Sequence, residues 1–514
     1  MKCKLTISIR KMAGLLALVI VMVVQGPIFG WKPVDDAYIS FRYAANLVNG
    51  YGLVFNVGER VEGYTNFLWT MLLAICGWGG FDIVKAGMYL SVVFAGIAIV
   101  LTWLIAGFVA RERGWPKWLQ WIPPLLLSCY PGWSFWAFSG MESTFLACLT
   151  MLFLFFGCLA PHSNKNLVLA AVFGLMAALT RWEIVLLWFV VVFSQLLDNS
   201  RPISKKLLRA GLLLSAMVVG FFTYFAWRID YYGDLMPNTY YAKVGSSFLG
   251  RLPRGLVYTG ELALSWWLPV SLVIWLTNWR HRWSVILITS LLIFTGYVTW
   301  TGGDFYPWLR FYIPVLPIAA IMAAELVKLL AVFPGHIRFQ GFVRVLVVAA
   351  LLSVFVGTAE RIDYFSAQTH HDWLRWWGQV GQWVAETVPR DYRLAVIPVG
   401  IIPYISRNPI FDLMGLTDRE VAHFGQIDTT EAPGHQLSST ALLIKRKPEV
   451  VLGEATPFDH PPTLEEVLAH TNRKMLLELY QNPDFQDLYD YRVIRIGKTY
   501  TSYWILKSIT PITQ

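Results

Sequence analysis

Long apolar runs separated by short clusters of charge recur along the first 360 residues, after which the pattern changes to one of alternating strands and amphipathic helices. A membrane span takes roughly 20 apolar residues, and short basic loops favour the cytoplasmic side. On these rules residues 12–30 leave the cytoplasm and residues 31–63 form a first outer loop. Residues 83–109 return to the basic "RERGWPK", 118–137 exit to "SGMEST", and 145–160 return to "HSNKN". A tight pair, 167–179 and 184–197, turns around "TRWE" and leaves "RPISKKLLR" inside. Residues 210–227 exit to "RIDYYGDLMPNTYYAK", 255–278 return to "WRHR", and 284–300 exit to "TGGDFYPWLRFY". Residues 313–333 return to "GHIRFQGFVR", and 345–356 exit for the last time. The expected fold class is therefore a polytopic α-helical membrane protein of about eleven transmembrane helices.

Residues 67–78 are apolar but short, and making them a span would flip every later basic loop outward, so they are read as an interfacial helix. Beyond residue 359 charges and prolines return to ordinary frequency. The expected organisation is a transmembrane module over 1–359, with the first outer loop over 31–66, and an extracytoplasmic α/β domain over 360–514, an ordinary domain size. Its tryptophan-rich start, "HDWLRWWGQVGQWV", has the amphipathic pattern of a helix lying on a membrane surface. The runs "RLAVIPV", "PEVVL", "YRVIRIG" and "YWILKS" read as strands, and "TLEEVLAHTNRKMLLELY" reads as helix.

Composition agrees with this threading: 56% of the 514 residues are hydrophobic, 15% are charged, and the mean hydropathy is +0.50. The formal net charge of +9 comes from basic clusters between apolar runs, which serve as topology signals and exclude nucleic acid as the expected partner. All five cysteines lie in the first third, mostly inside apolar stretches, which argues against a disulfide framework. The basic start with its long apolar run and no A-x-A cleavage pattern reads as an uncleaved anchor with a cytoplasmic N-terminus. An aromatic belt accounts for most of the 24 tryptophans.

The threading sorts the unusual polar residues to the outer side. Asp35, Asp36, Arg42, Glu59, Arg60 and Glu62 share the first outer loop, and Glu142, Arg181, Glu183, Asp234, Asn238, Lys243, Asp304 and Arg310 fall at other outer turns. The adjacent carboxylates Asp35 and Asp36 have a plain reading as N-caps of "AYISFRYAANL" and a chemical one as a proton acceptor with its neighbour. Arg310, following "GGD", has the planar fork that matches a phosphate, and Asp304 suits sugar hydroxyls. Asn238 and Lys243 are suitable donors to a sugar or diphosphate-like head group. Glu142, Arg181 and Glu183 lie close to membrane depth, where ionisable residues are costly unless paired or functional. In the tail His435 and His423 are weaker candidates. Asp35, Asp36 and Glu142 are the candidate ligands should a divalent metal ion be used, and no other cofactor is expected.

The stretch "DDAYISFRYAANLVNGYGLVFNVGERVEGYTNFLW" resembles the first outer loop of bacterial polyprenyl-phosphate-sugar-dependent membrane glycosyltransferases with the GT-C fold, among them the mycobacterial terminal β-(1→2)-arabinofuranosyltransferases. "SGMESTF", "TRWE", "YYGDLMPNTYYAK", "GGDFYPWLRF", "GIIPYISRNPIFDLMGLTD" and "KPEVVL" resemble the same group, so the similarity runs through nearly the whole chain. The resemblance implies an inverting transfer of a sugar, with arabinose the nearest-neighbour pentose, from a polyprenyl-phosphate donor to a cell-envelope glycan or glycolipid. It makes Asp35 the base with Asp36 as its acidic neighbour, Arg310, Lys243 and Arg181 the donor-phosphate ligands, and Glu62, Glu142, Asn238, Asp304 and His435 substrate-binding residues. It also implies a bacterial inner-membrane protein whose C-terminal domain is periplasmic. Two alternatives differ in class. A lipid-linked sugar transporter would place its binding residues near the midplane and commonly repeat its halves, which this sequence does not. A non-catalytic envelope or motor-associated protein retaining the fold would survive loss of Asp35.

Overall fold

The computed structural model describes residues 8–26, 32–159, 163–198, 200–243, 248–266, 271–272, 275–276, 282–304, 306, 308–332, 364–427, 437–471 and 473–509. The chain groups into two compact units: Met1–Lys32, Gly87–Phe225 and Arg251–Gln368 form one, and Pro33–Ala86, Ala226–Gly250 and Thr369–Gln514 form the other.

The first unit is helical. Among the described residues four helices of the chain are long and apolar enough to cross a membrane: Ile83–Glu112, Ile203–Tyr232, Arg282–Thr301 and the run Arg310–Lys328. A bent pair, Pro131–Phe138 with Ser143–Cys158, makes a fifth if counted as one broken span. Several expected spans are thus shorter or broken. The run at 118–137 is divided into a 3-10 turn, Lys117–Trp121, and the helices Ile122–Cys129 and Pro131–Phe138, because Pro123, Pro124 and Pro131 each lack an amide hydrogen. The tight pair is present as Asn164–Thr180 and Val185–Leu196, and the first run as Ile9–Gln25. The expected span at 345–356 lies outside the described residues.

The second unit is an α/β layer structure. Strands β1 (Leu394–Val396), β2 (Ile410–Asp412), β5 (Val450–Gly453), β6 (Tyr489–Ile496) and β7 (Thr499–Leu506) form a sheet in the order β2-β1-β5-β7-β6, and β3 (Gln426–Ile427) pairs with β4 (Leu437–Ser438) separately. β1 runs parallel to β2 and β5, whereas β7 is antiparallel to β5 and β6. The period-2 alternation of strands sends Leu394, Val396, Ile410, Val450, Leu452, Tyr503 and Ile505 to one core and Ala395, Phe411, Val451, Trp504 and Leu506 to another. Both faces of the sheet are therefore covered, which is why β1 and β5 read as continuous apolar runs.

Part of the first core comes from far away in sequence. Ile39, Tyr43, Leu53, Phe55 and Tyr64 of the first outer loop pack into it, with Tyr232. The helix Tyr364–Thr387 joins them through Trp376, Val380 and Val384, at four-residue spacing, with Val388 just beyond its end. The indoles of Trp376 and Trp377 donate to the carbonyls of Ala455 (2.6 Å) and Glu454 (3.1 Å). The amphipathic pattern of "HDWLRWWGQVGQWV" thus serves the protein core, a correction to the membrane-surface expectation: an apolar stripe has the same period whether a bilayer or a sheet covers it. The expected long helix over 463–480 is two, Leu464–His470 and Lys474–Tyr480, the former opened by a capping box between Thr463 and Glu466.

Candidate active site

The helix Asp35–Val48 begins directly after Pro33, and Val34, with φ −72° and ψ 159°, occupies its N-cap. Asp35 and Asp36 are therefore first-turn residues, placed favourably against the helix dipole, and not the N-cap itself. The Asp35 carboxylate is bound instead to the tail. Its Oδ1 accepts the Ile401 N–H at 2.8 Å and its Oδ2 the Gly400 N–H at 3.1 Å. Gly400 closes the loop after β1 and precedes the short helix Ile401–Ser406. A Cβ at Gly400 would collide with the Asp35 main-chain oxygen and lie 2.5 Å from its carboxyl carbon, so only glycine admits this approach.

Two further side chains on the same face of the helix secure this contact, since residues three and seven positions on follow the helical repeat. The ring of Tyr38 meets Tyr404 edge to face at 5.4 Å and Phe41 at 5.3 Å. Arg42, buried, donates from Nη1 to the Pro403 carbonyl and from Nη2 to that of Asn408, both at 2.7 Å, and from Nε to that of Phe55 at 2.8 Å. The guanidinium thereby holds the segment 400–408 against the helix that carries Asp35.

Burial pushes the Asp35 carboxyl up to about 7; the Ile401 N–H opposes this, the Asp36 charge adds to it, and the Gly400 N–H opposes it again. A proton acceptor works in its ionised form, so a rate that depends on Asp35 rises with pH through about 7. Asp36→Asn removes a like charge and moves that acid limb to lower pH in a pH profile of kcat; a limb that stays in place or moves up contradicts the coupling.

The other polar motifs of this unit build its frame. Glu62 and Arg228 form a buried pair at 2.6 Å, and Arg228 also donates to the carbonyls of Asp234 and Leu235. Buried Asn238 donates its main-chain N–H to the Glu62 carbonyl and its side-chain amide to the carbonyls of Gly415, Leu416 and Asp418. These contacts join "YYGDLMPNTYYAK" to the loop "DLMGLTD", which is itself folded around Asp412: that carboxylate accepts the N–H groups of Met414, Gly415 and Thr417 and the Thr417 hydroxyl. Glu62 and Asn238, expected to contact substrate, thus take part in this architecture, Glu62 through its Arg228 pair and Asn238 through its main-chain and side-chain N–H groups. Lys243 is half-buried at the end of the helix Asn238–Lys243. His435 lies outside the described residues, and His423 packs on Tyr241 at 4.1 Å with Asp234 3.7 Å from its Nε2.

The first unit contains a second constellation. Gly140, with φ +72°, and the Ser139 hydroxyl, which donates to the Trp136 carbonyl and accepts from the Met141 N–H, break the helix pair and set Glu142 at the bend, which turns by 110°. Arg181 caps the helix Asn164–Thr180 and pairs with Glu183 at 2.9 Å and with Glu142 at 3.6 Å. Arg310 is paired with Asp304, its guanidinium 4.7 Å from the Tyr306 ring and 5.3 Å from that of Phe311. Gly302, Gly303, Trp308 and Leu309 all have positive φ, so this turn holds two non-glycine residues in the left-handed region, where backbone strain is stored. The cost of placing Glu142, Arg181 and Glu183 near membrane depth is thus met by pairing among themselves. Arg310 and Asp304, expected to take separate substrate groups, face each other.

Among the described residues no group of three or more His, Cys, Asp and Glu has the arrangement of a metal site. Asp35 has both oxygens engaged by backbone N–H groups, and Glu142 belongs to the other unit and pairs with Arg181.

A family model described as a domain of unknown function (DUF8728) matches residues 362–504. The whole chain superposes on crystal structures of ArnT from Cupriavidus metallidurans, one bound to undecaprenyl phosphate (TM-score 0.56, 13% identity, 97% of this chain and 98% of that one). The other is in the apo state (0.53, 12%, 96% and 97%). It also superposes on the archaeal oligosaccharyltransferase AglB from Archaeoglobus fulgidus in complex with an inhibitory peptide and a dolichol-phosphate (0.53, 11%, 96% and 74%). The chain has the GT-C fold. Within that fold, the sequence is 29% identical over 266 residues to a terminal β-(1→2)-arabinofuranosyltransferase of Mycobacterium tuberculosis, a match that spans 48% of this chain and 41% of that protein. The resemblance seen in the motifs of this GT-C chain is therefore borne out.

Proposed function

We propose that the protein transfers a sugar, a pentofuranose such as arabinose, from a polyprenyl-phosphate donor to a hydroxyl of a cell-envelope glycan or glycolipid on the outer face of the bacterial inner membrane. The observation that carries the reading is the Asp35 carboxylate: fixed by two backbone N–H groups at the head of the first-loop helix, with a proton affinity near neutrality. Likeness to proteins whose structures are known with undecaprenyl phosphate and with a dolichol-phosphate supports the donor class, and likeness to an arabinofuranosyltransferase supports the sugar.

Asp35 takes the proton of the acceptor hydroxyl as its oxygen attacks the anomeric carbon. The bond from that carbon to the phosphate oxygen breaks, its electron pair stays on the departing polyprenyl phosphate, and the proton on Asp35 passes to water. A single displacement inverts the anomeric carbon. Arg310 and Lys243 are the proposed ligands of the departing phosphate, where charge develops. Arg181 stands between Glu142 and Glu183, a cluster with more negative than positive charge. In this reading it serves, with Glu142 and Asp304, to orient sugar hydroxyls instead of the phosphate. Comparing envelope glycans of a deletion strain with its parent tests the proposal: loss of one terminal sugar, restored by the wild-type gene and not by the Asp35→Asn allele, is expected. Unchanged glycans, or restoration by the Asp35→Asn allele, contradicts it.

A further inference from the structure

The helix Phe248–Ser265 carries a buried arginine that the proposed reaction does not use. Arg251 stands in its first turn, where the helix dipole disfavours positive charge, and no acidic residue accompanies it there. It is 7% exposed, and its buried Nε has no hydrogen-bond acceptor among the described residues. No carboxylate lies within ion-pair distance of it among those residues either; its guanidinium meets the face of Trp300, 5.5 Å away. A ring face offsets only part of the cost of taking a guanidinium out of water. The sequence supplies no acid between Asp234 and Glu261, or between Glu261 and Asp304.

Close approach fixes what surrounds it. A Cβ on Gly302, whose φ is +88°, would lie 3.3 Å from the Arg251 Cβ, one on Gly303 2.6 Å from the Tyr258 ring, and one on Gly255 2.0 Å from the Thr299 carbonyl oxygen. Arg251, Gly255 and Tyr258, four and three residues apart, therefore form the helix face on which the segment 299–303 lies. Thr259 ties the same face to the Thr299 hydroxyl at 2.7 Å and to the Tyr312 hydroxyl at 2.8 Å. Arg254, half-buried, is one turn from Arg251 on one side and from Tyr258 on the other. Asp304 acts on its charge from across the turn, and neither a hydrogen bond nor an ion pair holds Arg254 among the described residues. Beyond Arg254 the helix surface becomes apolar and exposed, at Leu256, Val257 and Leu264, and Trp300 is exposed beside it, a flank suited to acyl chains.

We propose that Arg251 and Arg254 form a binding site for a lipid-borne phosphate monoester, which they hold in preference to a phosphodiester. Above neutral pH a monoester carries close to two negative charges and a diester one, so two guanidiniums match the monoester, and the planar fork of arginine fits its oxygens. For the identity of the lipid the inference rests on the sugar transfer proposed above. There the donor is a diester and the departing polyprenyl phosphate a monoester, so this pair binds the product more tightly than the donor.

The test is binding to the full-length protein in phosphatidylcholine nanodiscs, read by native mass spectrometry and needing no turnover. The probes are polyprenyl phosphate, its methyl phosphodiester and inorganic phosphate. At pH 8 the wild type is expected to bind the monoester about tenfold more tightly than the methyl diester, and Arg251→Gln to lose most of that preference while its affinity for the diester stays nearly the same. Arg254→Gln, at a half-buried position, is expected to lower the preference about threefold and decides the matter should Arg251→Gln not fold. Equal binding of monoester and diester by the wild type, or a preference unchanged in both variants, overturns the proposal. Displacement of polyprenyl phosphate by an equal concentration of inorganic phosphate overturns its lipid part and assigns the site to free phosphate. Failure of sugar transfer with the preference intact strikes the Asp35 reading alone.

Discussion

Asp35→Asn is expected to insert and fold like the wild type and to lose sugar transfer by a factor of ~10² to 10⁴, the contribution of a general base. The amide preserves the shape of the carboxylate. Its oxygen still accepts the Ile401 N–H, which is the shorter of the two backbone bonds, and only the Gly400 contact is weakened. What is removed is the ability to take a proton. Loss of transfer with an unchanged melting temperature and unchanged donor binding assigns the residue to the chemical step. A fall in stability of the same size would make Asp35 a structural clamp between the first loop and the tail.

The largest expected effect on stability comes from Glu62→Gln. Arg228 is fully buried, pairs with the Glu62 carboxylate at 2.6 Å, and donates from Nη1 to the carbonyls of Asp234 and Leu235.

 
Removing that counter-charge takes from a buried guanidinium the carboxylate that offsets its desolvation, a loss of about 3–5 kcal/mol when one partner of a buried pair is deleted. The pair also sits where the Asn238 N–H meets the Glu62 carbonyl, so loosening it frees the segment 226–250 from the loop 412–418. Thermal or denaturant unfolding should show the loss, and the fraction that remains folded should turn over with an unchanged KM. Wild-type stability with a raised KM would return Glu62 to the substrate-binding role that the sequence suggested.

Much of this arrangement was legible in the sequence, and the parts that were not share a physical cause. Strands β1, β5, β6 and β7 of the tail were readable because short apolar runs bounded by prolines and charges have few other uses, whereas β2, β3 and β4, of two or three residues each, are too short to show a period. The helix Phe67–Trp78 was found with the bounds expected for it, and the Asp35–Asp36 pair was found as the start of a helix. The partners of Asp35 were not found. They are backbone N–H groups 365 and 366 residues away, and a backbone donor leaves no mark in residue type. The one available signal was Gly400 in "GIIPYIS", whose lack of a side chain admits the aspartate. Arg42 was visible as a charged residue in the first loop, but three main-chain carbonyls, two of them in the tail, give it its role. Period alone also misplaced the amphipathic helix Tyr364–Thr387, since a stripe of tryptophan and valine states that something apolar must cover it and not what does.

The central claim is that Asp35 activates an acceptor hydroxyl against a polyprenyl-phosphate sugar, and purified protein in nanodiscs tests it most directly. Wild type and Asp35→Asn are each given a synthetic polyprenyl-phospho-arabinofuranose and an arabinan acceptor, and free polyprenyl phosphate and glycosylated acceptor are counted by mass spectrometry. The account predicts that the wild type forms the two in equal amounts, with the anomeric carbon inverted, and that Asp35→Asn forms neither above background. Full turnover by Asp35→Asn, or a wild type that leaves the lipid donor intact while consuming a nucleotide-activated sugar, would contradict it.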